Sequence, residues 1–329
     1  MTHPARSIAA PILIAALGFL SASIARAGDL DPPAGPVAPT MKPLADVEPR
    51  TAVNATNTPS SAGGLCTISA AGSYYLTGNI DTPPGLSAIR IDASNVTLDL
   101  QGFTIDGASA GVNRNGIVGD ASISGVVVRN GIVANWSNNC LNFEETPDVR
   151  IEDVRAEGAG DIGIFCSDDA TIVDCTVRSC NTGILCAQRA TITGATVSGC
   201  ATSGIGVLSD ATISDTTTTQ NTQSGIDASS GARCRIHRCS ATANGQWGIR
   251  AGTDALVSES ISSGNQSGIE VNARSLVTRC NASNNSGFGV LLSLGPSSSV
   301  VGCSVSQNSV GIEGGDAFIE GCTLDANED

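Results

Sequence analysis

The chain has 329 residues, of which 41% are apolar but only 3% are aromatic, and its formal net charge is −14. So acidic a surface argues against nucleic acid as a partner. The 38 glycines, the many Ser, Thr and Asn residues and the lack of Leu-rich runs favour short strands joined by turns over helices. We therefore expect an all-β protein.

Residues 1–27 predict a signal peptide. Arg6 precedes an apolar run from Ile8 to Leu20, and Ala25-Arg26-Ala27 resembles a cleavage site. The apolar run is shorter than a membrane span, although an uncleaved anchor is the alternative. We expect export to the extracellular space, the cell surface or the periplasm, with no membrane span after cleavage.

Residues 28–64 are rich in Pro, Ala and Thr and show no periodicity, which predicts an extended N-terminal segment or a cap over the first coil. From residue 65 to residue 329 the chain is repetitive. A Gly-apolar pair recurs every 20 to 23 residues at Gly163, Gly183, Gly204, Gly225, Gly248, Gly268, Gly289 and Gly311. Such an interval is typical of a solenoid.

A second apolar position follows each pair at a nearly fixed offset, at Ile172, Ile192, Ile213, Ile236, Val257, Val277, Val300 and Ile319. Small residues lie two positions earlier, on the same side of a strand. Eight positions later come Cys180, Cys200, Asn221, Asn244, Asn265, Asn285, Asn308 and Asn327, which predict an asparagine ladder at a turn.

This pattern resembles the right-handed parallel β-helix superfamily of pectate lyases and polygalacturonases, and "NVTLDLQGFTIDG" (95–107) is similar to its first full coil. The leucines of a leucine-rich repeat are missing, and the variable interval excludes a hexapeptide solenoid. The resemblance implies a single-stranded right-handed parallel β-helix of about a dozen coils. The chain also resembles uncharacterised secreted bacterial β-helix proteins.

Two pairs of cysteines occupy equivalent positions one coil apart, Cys166 with Cys186 and Cys180 with Cys200. Their expected separation lies within the disulfide range, but in-register neighbours are poorly oriented for an unstrained bridge. Disulfides and stacked free thiols therefore both stay open.

Charged residues alternate in sign between coils, as in the run Asp169, Arg189, Asp210, Arg233, Asp254 and Arg274, which predicts salt bridges that fix coil register. Asp168 has no partner in these columns. The alternative is a calcium site formed by Asp148, Asp168 and Asp169, and calcium is the one cofactor considered.

The densest polar cluster is Arg233, Arg235, His237 and Arg238, which could receive an acidic sugar with an arginine as base, or could be neutralised by acids of adjacent coils. Trp247 follows, as a sugar-stacking platform or as a plug over the coil edge. Polygalacturonases carry Gly-His-Gly and Arg-Ile-Lys segments, which the resemblance would lead us to expect. Both segments are missing from this sequence.

We therefore predict a secreted, monomeric and non-catalytic β-helix scaffold that contacts polysaccharide or other cell-surface components. The alternative is a polysaccharide lyase or hydrolase that acts on uronate polymers with the Arg233–Arg238 cluster.

Overall fold

The structure, a computed structural model, describes residues 49–61, 63–293 and 297–328. These residues form 35 strands, numbered in chain order, and no helix. The chain winds into a parallel β-solenoid of about 13 turns. A typical coil contributes three short strands, so the solenoid has three faces, and we name them in the order in which a coil such as residues 162–178 meets them.

The first face is one parallel sheet of twelve strands: β2 (Gly64–Ile68), β5 (Ser87–Ile91), β8 (Ile117–Gly119), β10 (Leu141–Phe143), β12 (Ile162–Cys166), β15 (Thr182–Cys186), β18 (Ile205–Val207), β21 (Ile226–Ala232), β24 (Trp247–Thr253), β27 (Ser267–Val271), β30 (Phe288–Leu292) and β33 (Val310–Gly314).

The second face contains β1 (Thr51–Ala52), β3 (Gly72–Tyr75), β6 (Val96–Asp99), β13 (Thr171–Val173), β16 (Thr191–Thr193), β19 (Thr212–Ser214), β22 (Arg235–His237), β25 (Leu256–Ser258), β28 (Leu276–Thr278), β31 (Ser299–Val301) and β34 (Phe318–Glu320). The third face contains β4 (Ile80–Asp81), β7 (Thr104–Asp106), β14 (Thr176–Arg178), β17 (Thr196–Ser198), β20 (Thr217–Thr219), β23 (Ser240–Thr242), β26 (Ile261–Ser263), β29 (Asn281–Ser283), β32 (Ser304–Ser306) and β35 (Thr323–Asp325). Strands β9 (Val126–Ala134) and β11 (Val149–Glu157) run through both faces and join them into one sheet.

Left-handed backbone conformations turn the chain at the corners. Between the first and second faces the non-glycine turning residues are Asn95, Asp148, Asp169, Arg189, Asp210, Arg233, Asp254, Arg274 and Ser297. Between the second and third faces they are Gln101, Asn130, Asp153, Asp174, Asp215, Arg238, Glu259 and Arg279. Aspartate tolerates this conformation better than most residues, whereas arginine and glutamate have no such preference. The charged columns therefore lie at corners, where side chains of successive coils stack in the open.

The core is a stack of equivalent apolar side chains. Ile172 pairs in register with Ile151 on one side and with Ile192 on the other, and all three side chains are fully buried. The N-terminal coils also enclose larger rings, those of Trp136 and Phe143, beside glycines that leave room for them. Small and branched side chains thus fill most of the interior, as the composition predicts.

Asparagines line the interior of the corner between the third face and the next coil. Each side-chain amide donates to the side-chain oxygen one coil later, from Asn221 to Asn244, to Asn265 and on to Asn285, at 3.0, 3.1 and 3.2 Å. The same oxygens accept backbone N–H groups, for example that of Asn244 at 2.8 Å. The column satisfies buried polar groups that no strand reaches.

The predicted fold class is confirmed, and the repeat intervals match the strand register. Strand β1 pairs with β3, so residues 51–52 extend the second face ahead of residue 65. The predicted signal peptide and the segment 28–48 lie outside the described residues. Within the described ranges, no helix is long and apolar enough to cross a membrane.

Candidate functional site

The arginine and histidine cluster lies on and beside strand β22 of the second face. Arg233 makes two hydrogen bonds to Asp210, at 2.6 and 2.7 Å, and Arg238 makes two to Asp215, at 2.7 and 2.8 Å. These bonds lower the pKa of both aspartates and raise the pKa of both arginines. Neither guanidinium is free to act as a base.

His237 points outward from the same strand and is partly buried. Its Nδ1 lies 3.0 Å from the hydroxyl of Ser258, and its Nε2 lies 3.9 Å from a carboxylate oxygen of Glu259, which also binds Arg279 at 2.7 Å. Arg235 is exposed, and in the described part of the chain its guanidinium has no hydrogen bond or ion pair. Acids of adjacent coils therefore neutralise Arg233 and Arg238 of this cluster, whereas Arg235 has no acid partner in the described residues.

The adjacent acids Asp168 and Asp169 both bind Arg189. Its Nε and Nη2 atoms reach Asp169 at 2.6 and 2.8 Å, and Nη2 also reaches Asp168 at 3.0 Å. The expectation that Asp168 has no partner is wrong, since it also accepts the backbone N–H of Gln188 at 3.0 Å. A calcium ion at these carboxylates would compete with Arg189. Among the described residues, Asp148, Asp168 and Asp169 do not form a group that could hold a metal ion.

All twelve cysteines are free thiols in the structure. Cys166 and Cys186 are in-register neighbours, and the hydrogen bond between their thiols, together with burial, raises the pKa of Cys166. Burial raises the pKa of Cys180 to about 12 and also raises that of Cys200. The predicted disulfides stay predictions, and the thiols act here as small core side chains.

Trp247 lies on the first face, away from the arginine and histidine cluster on the second face. It begins strand β24 and its ring is partly buried. Two coils further on, Phe288 begins β30 at the equivalent position, and the two rings are parallel within 3°, with centroids 6.3 Å apart. Ser267 of the intervening coil lies between them in the sheet register. Trp247 is thus one half of an aromatic pair on the sheet surface.

A charged group adjoins this aromatic pair. The guanidinium of Arg250 lies 6.0 Å from the centre of the Trp247 ring. It binds Glu270 at 2.6 Å and approaches Asp227 at 3.6 Å. Glu270 also accepts the hydroxyl of Ser293 at 2.7 Å. These contacts link Asp227, Arg250 and Glu270 across three successive coils.

A shallow groove of about 240 Å³ continues from Asp227 toward the N-terminal coils. Gly206 forms its floor because a side chain there would fill it, and Leu185 and Leu208 are its apolar walls. Polar side chains complete its lining, namely Thr182, Thr202, Ser203, Gln223 and Ser230. We call the groove, the Arg250 group and the aromatic pair together the first-face site.

Sequence reasoning found Trp247 but missed Phe288 and the groove. A signal was present: both aromatic residues immediately precede a repeat glycine, Gly248 and Gly289, two coils apart. Side chains in one column of a parallel sheet are neighbours, so this spacing predicts a shared surface. In the sequence, Asp227, Arg250 and Glu270 indicate only a further column of alternating charge.

Comparison with known proteins places the chain in a class. Residues 186–327 match the family described as "Right handed beta helix region". Residues 89–255, just over half of the chain, match the family "Periplasmic copper-binding protein (NosD)". Because this second match covers more than half of the chain, the chain belongs to the NosD family. No curated protein matches the chain.

Solved structures share the fold. The A-module of the Azotobacter vinelandii mannuronan C-5 epimerase AlgE4 is 13% identical, with a TM-score of 0.57 over 78% of this chain and 88% of that one. The Dettilon tailspike protein is 14% identical, with a TM-score of 0.60 over 78% and 60%. The periplasmic alginate epimerase AlgG is 12% identical, with a TM-score of 0.51 over 83% and 81%. At such identities the likeness concerns the fold alone.

The family description names copper, whose protein ligands are thiolates, thioethers and imidazoles. His237 lies on the outer surface, whereas the cysteines line the interior. Across the described ranges, no group of three or more His, Cys, Asp and Glu side chains could hold a metal ion. The described residues therefore do not fit a copper centre.

Proposed function

We propose that this protein is an extracytoplasmic β-helix protein that binds a polysaccharide along its first face without cleaving it. The observation that carries the proposal is the parallel pair of Trp247 and Phe288 on the outer surface of a sheet. Aromatic rings that lie half in water bind best a partner with one apolar side and one polar side, and a sugar ring is such a partner.

The rest of the site suits the same ligand. Leu185 and Leu208 offer apolar contact, and the hydroxyl and amide groups around the groove offer hydrogen bonds. Because the site crosses several coils, a chain of sugars running along the solenoid axis would meet the groove, then Arg250, then the aromatic pair. A single small molecule would use only part of this surface.

Catalysis is the weaker reading of the geometry. Glu270 is held by Arg250 and Ser293, and one oxygen of Asp227 accepts both the backbone N–H and the hydroxyl of Ser229, at 3.0 and 2.6 Å. Carboxylates so engaged are poorly placed to exchange a proton with substrate. On the second face, the arginines of the alternative lyase site bind aspartates. An extracytoplasmic location is supported by the periplasmic family description and by the sequence of residues 1–27.

Tryptophan fluorescence tests the proposal directly, because the chain has only two tryptophans. Trp136 is 1% exposed, so a ligand on the first face should change the emission of Trp247 alone. We expect saturable changes with at least one polymer in a panel of neutral and acidic polysaccharides. Trp247→Ala should weaken that binding at least about tenfold in affinity gel electrophoresis.

Leu276→Ala is the matched control, since Leu276 is a partly exposed apolar residue on the second face. It should bind as the unaltered protein does. Binding that survives Trp247→Ala but fails in Leu276→Ala would place the ligand on the second face and contradict the proposal. Release of unsaturated products, seen as ultraviolet absorbance, would instead establish a lyase.

A further inference from the structure

We infer that the polysaccharide bound at the first-face site is a neutral one, rich in hydroxyl groups and without uronate carboxylates. The inference rests on the proposed function and adds the ligand class. It comes from the charges that face outward from the first face and from the hydrogen bonds that already engage them.

One outward column of the first face carries nearly all of its charge. In sheet register, the part of this column at the first-face site runs Phe165, Leu185, Gly206, Asp227, Arg250, Glu270, Leu291 and Glu313. The same column also contains Arg90, three coils before Phe165, which binds Asp92 and Asp120. The part from Phe165 to Glu313 holds three acids and one arginine, so an anionic chain laid across these coils would meet net negative charge. Like charges on adjacent coils repel, as they do across neighbouring strands.

The single cation between Phe165 and Glu313 in this column is not available to a carboxylate ligand. Arg250 donates to Glu270 at 2.6 Å and lies 3.6 Å from Asp227, and its plane also approaches the Trp247 ring. A uronate would have to displace one of these acids, which would then be left without its counter-charge. The arginine would gain no new partner overall.

The other arginines of these coils are also engaged or face elsewhere. Arg189, Arg233 and Arg274 lie at the corner and bind aspartates of the preceding coil. Arg235 has a free guanidinium in the described part of the chain, but it belongs to the second face. A polyuronate on the first face therefore finds no cation to balance each of its sugars.

A neutral glycan fits the same groups without this conflict. One oxygen of Asp227 accepts from Ser229, and the other lies 3.6 Å from Arg250. The Asp227 side chain is 28% exposed, and a carboxylate oxygen has a second lone pair with which it can accept a sugar hydroxyl. Hydrogen bonds from a neutral donor to a carboxylate are among the stronger ones that proteins make. Glu270, at 13% exposure, holds Arg250 in place beside the ring.

The test compares ligands that differ only in the carboxylate. Oligosaccharides of β-1,4-linked mannose and of β-1,4-linked mannuronate have the same backbone, and fully methyl-esterified and de-esterified homogalacturonan form a second such pair. Dissociation constants are measured from the Trp247 emission and by calorimetry, at about 0.05 M and about 0.5 M salt. We expect the neutral member of a pair to bind at least tenfold more tightly at low salt, with a smaller difference at high salt.

Variants locate the discrimination. Asp227→Asn keeps an acceptor and removes a charge, so it should raise the affinity for the acidic member several-fold. Asp215→Asn is the matched control, because it makes the same change in net charge at a corner away from the first face. It should leave the discrimination unchanged.

The outcomes separate the two proposals. Tighter binding of the acidic member, or an equal response of both Asn variants, overturns the neutral-ligand inference while leaving polysaccharide binding in place. If neither matched pair binds but another polymer of the panel does, a neutral polymer supports the neutral-ligand inference and an acidic polymer overturns it. Failure of every neutral and acidic polymer to bind overturns the proposed function itself.

Discussion

Arg189 holds both Asp168 and Asp169 of the preceding coil, with Asp169 bound through two parallel hydrogen bonds. Asp169 and Arg189 both have left-handed backbones, with φ of 60° and 58°. The pair thus joins two corner residues that any slip in coil register would separate. What looks like a site in the sequence is therefore a connection between coils.

The first prediction concerns acid. The hydrogen bond from its arginine holds the pKa of Asp169, Asp210, Asp215 and Asp254 below the usual 3.8. A depressed folded-state pKa contributes stability above the unfolded value, and that stability is lost as the pH falls through the folded value. We expect the melting temperature to be steady above about pH 5 and to fall below about pH 4.

These pairs are exposed, so their contribution is screened by salt and each is small. Replacing Asp210 and Asp254 by Asn should make the melting temperature less sensitive to acid at low ionic strength. An unchanged pH profile in that double variant, followed by calorimetry, would show that the corner pairs do not contribute.

The periodic interior was predictable because it repeats. Ile172, Ile192 and Ile213 recur at the coil interval, and only a buried column explains an apolar residue at each equivalent position. The corners were harder to predict, because Arg189 and Arg233 have no intrinsic preference for a left-handed backbone. Their left-handed conformation recurs at the equivalent position of successive coils, which the residue types alone do not indicate.

The first-face site was predictable only in part. Trp247 stands out by its rarity, but its face depends on where the three corners fall within the coil. His237 is close to Trp247 in sequence, yet the two residues lie on different faces. The groove at Gly206 depends on a missing side chain, and such an absence carries no periodic signal.

The second prediction concerns the buried amide column. Asn265 accepts the backbone N–H of Asn244 at 2.8 Å and donates to Asn285 at 3.2 Å. Asn265→Ala should lower the free energy of unfolding by about 1 to 3 kcal/mol, because it leaves a buried N–H without a partner. Urea unfolding measures the change. Gln266→Ala, at the exposed neighbouring position, should change it by less than about 0.5 kcal/mol.

The third prediction contrasts two glycines. A methyl group at Gly183 would point inward onto the carbonyl oxygen of Gly204 and the side chain of Val197. At Gly206 it would point outward, 2.9 Å from the end of the flexible Leu185 side chain. Gly183→Ala should therefore destabilise the protein by about 1 to 3 kcal/mol, whereas Gly206→Ala should have a smaller effect.

Gly206→Ala should instead weaken polysaccharide binding, since it fills the floor of the groove. Thermal unfolding and the Trp247 titration measure the two effects separately. A Gly206→Ala protein that melts normally and binds with unaltered affinity would show that the groove is not part of the site.

The last prediction concerns the thiols. A thiolate is needed to form or exchange a disulfide, and burial raises the pKa of Cys175 and Cys180 to about 12 and that of Cys200 above its usual value. We therefore expect all 12 cysteines to react with a thiol reagent once the protein, purified without reductant, is denatured. In the native state most should stay protected, because eleven of them are buried. A count of eight in denaturant, restored to twelve by prior reduction, would instead establish the Cys166–Cys186 and Cys180–Cys200 disulfides, and peptide mapping would identify the bridged pairs.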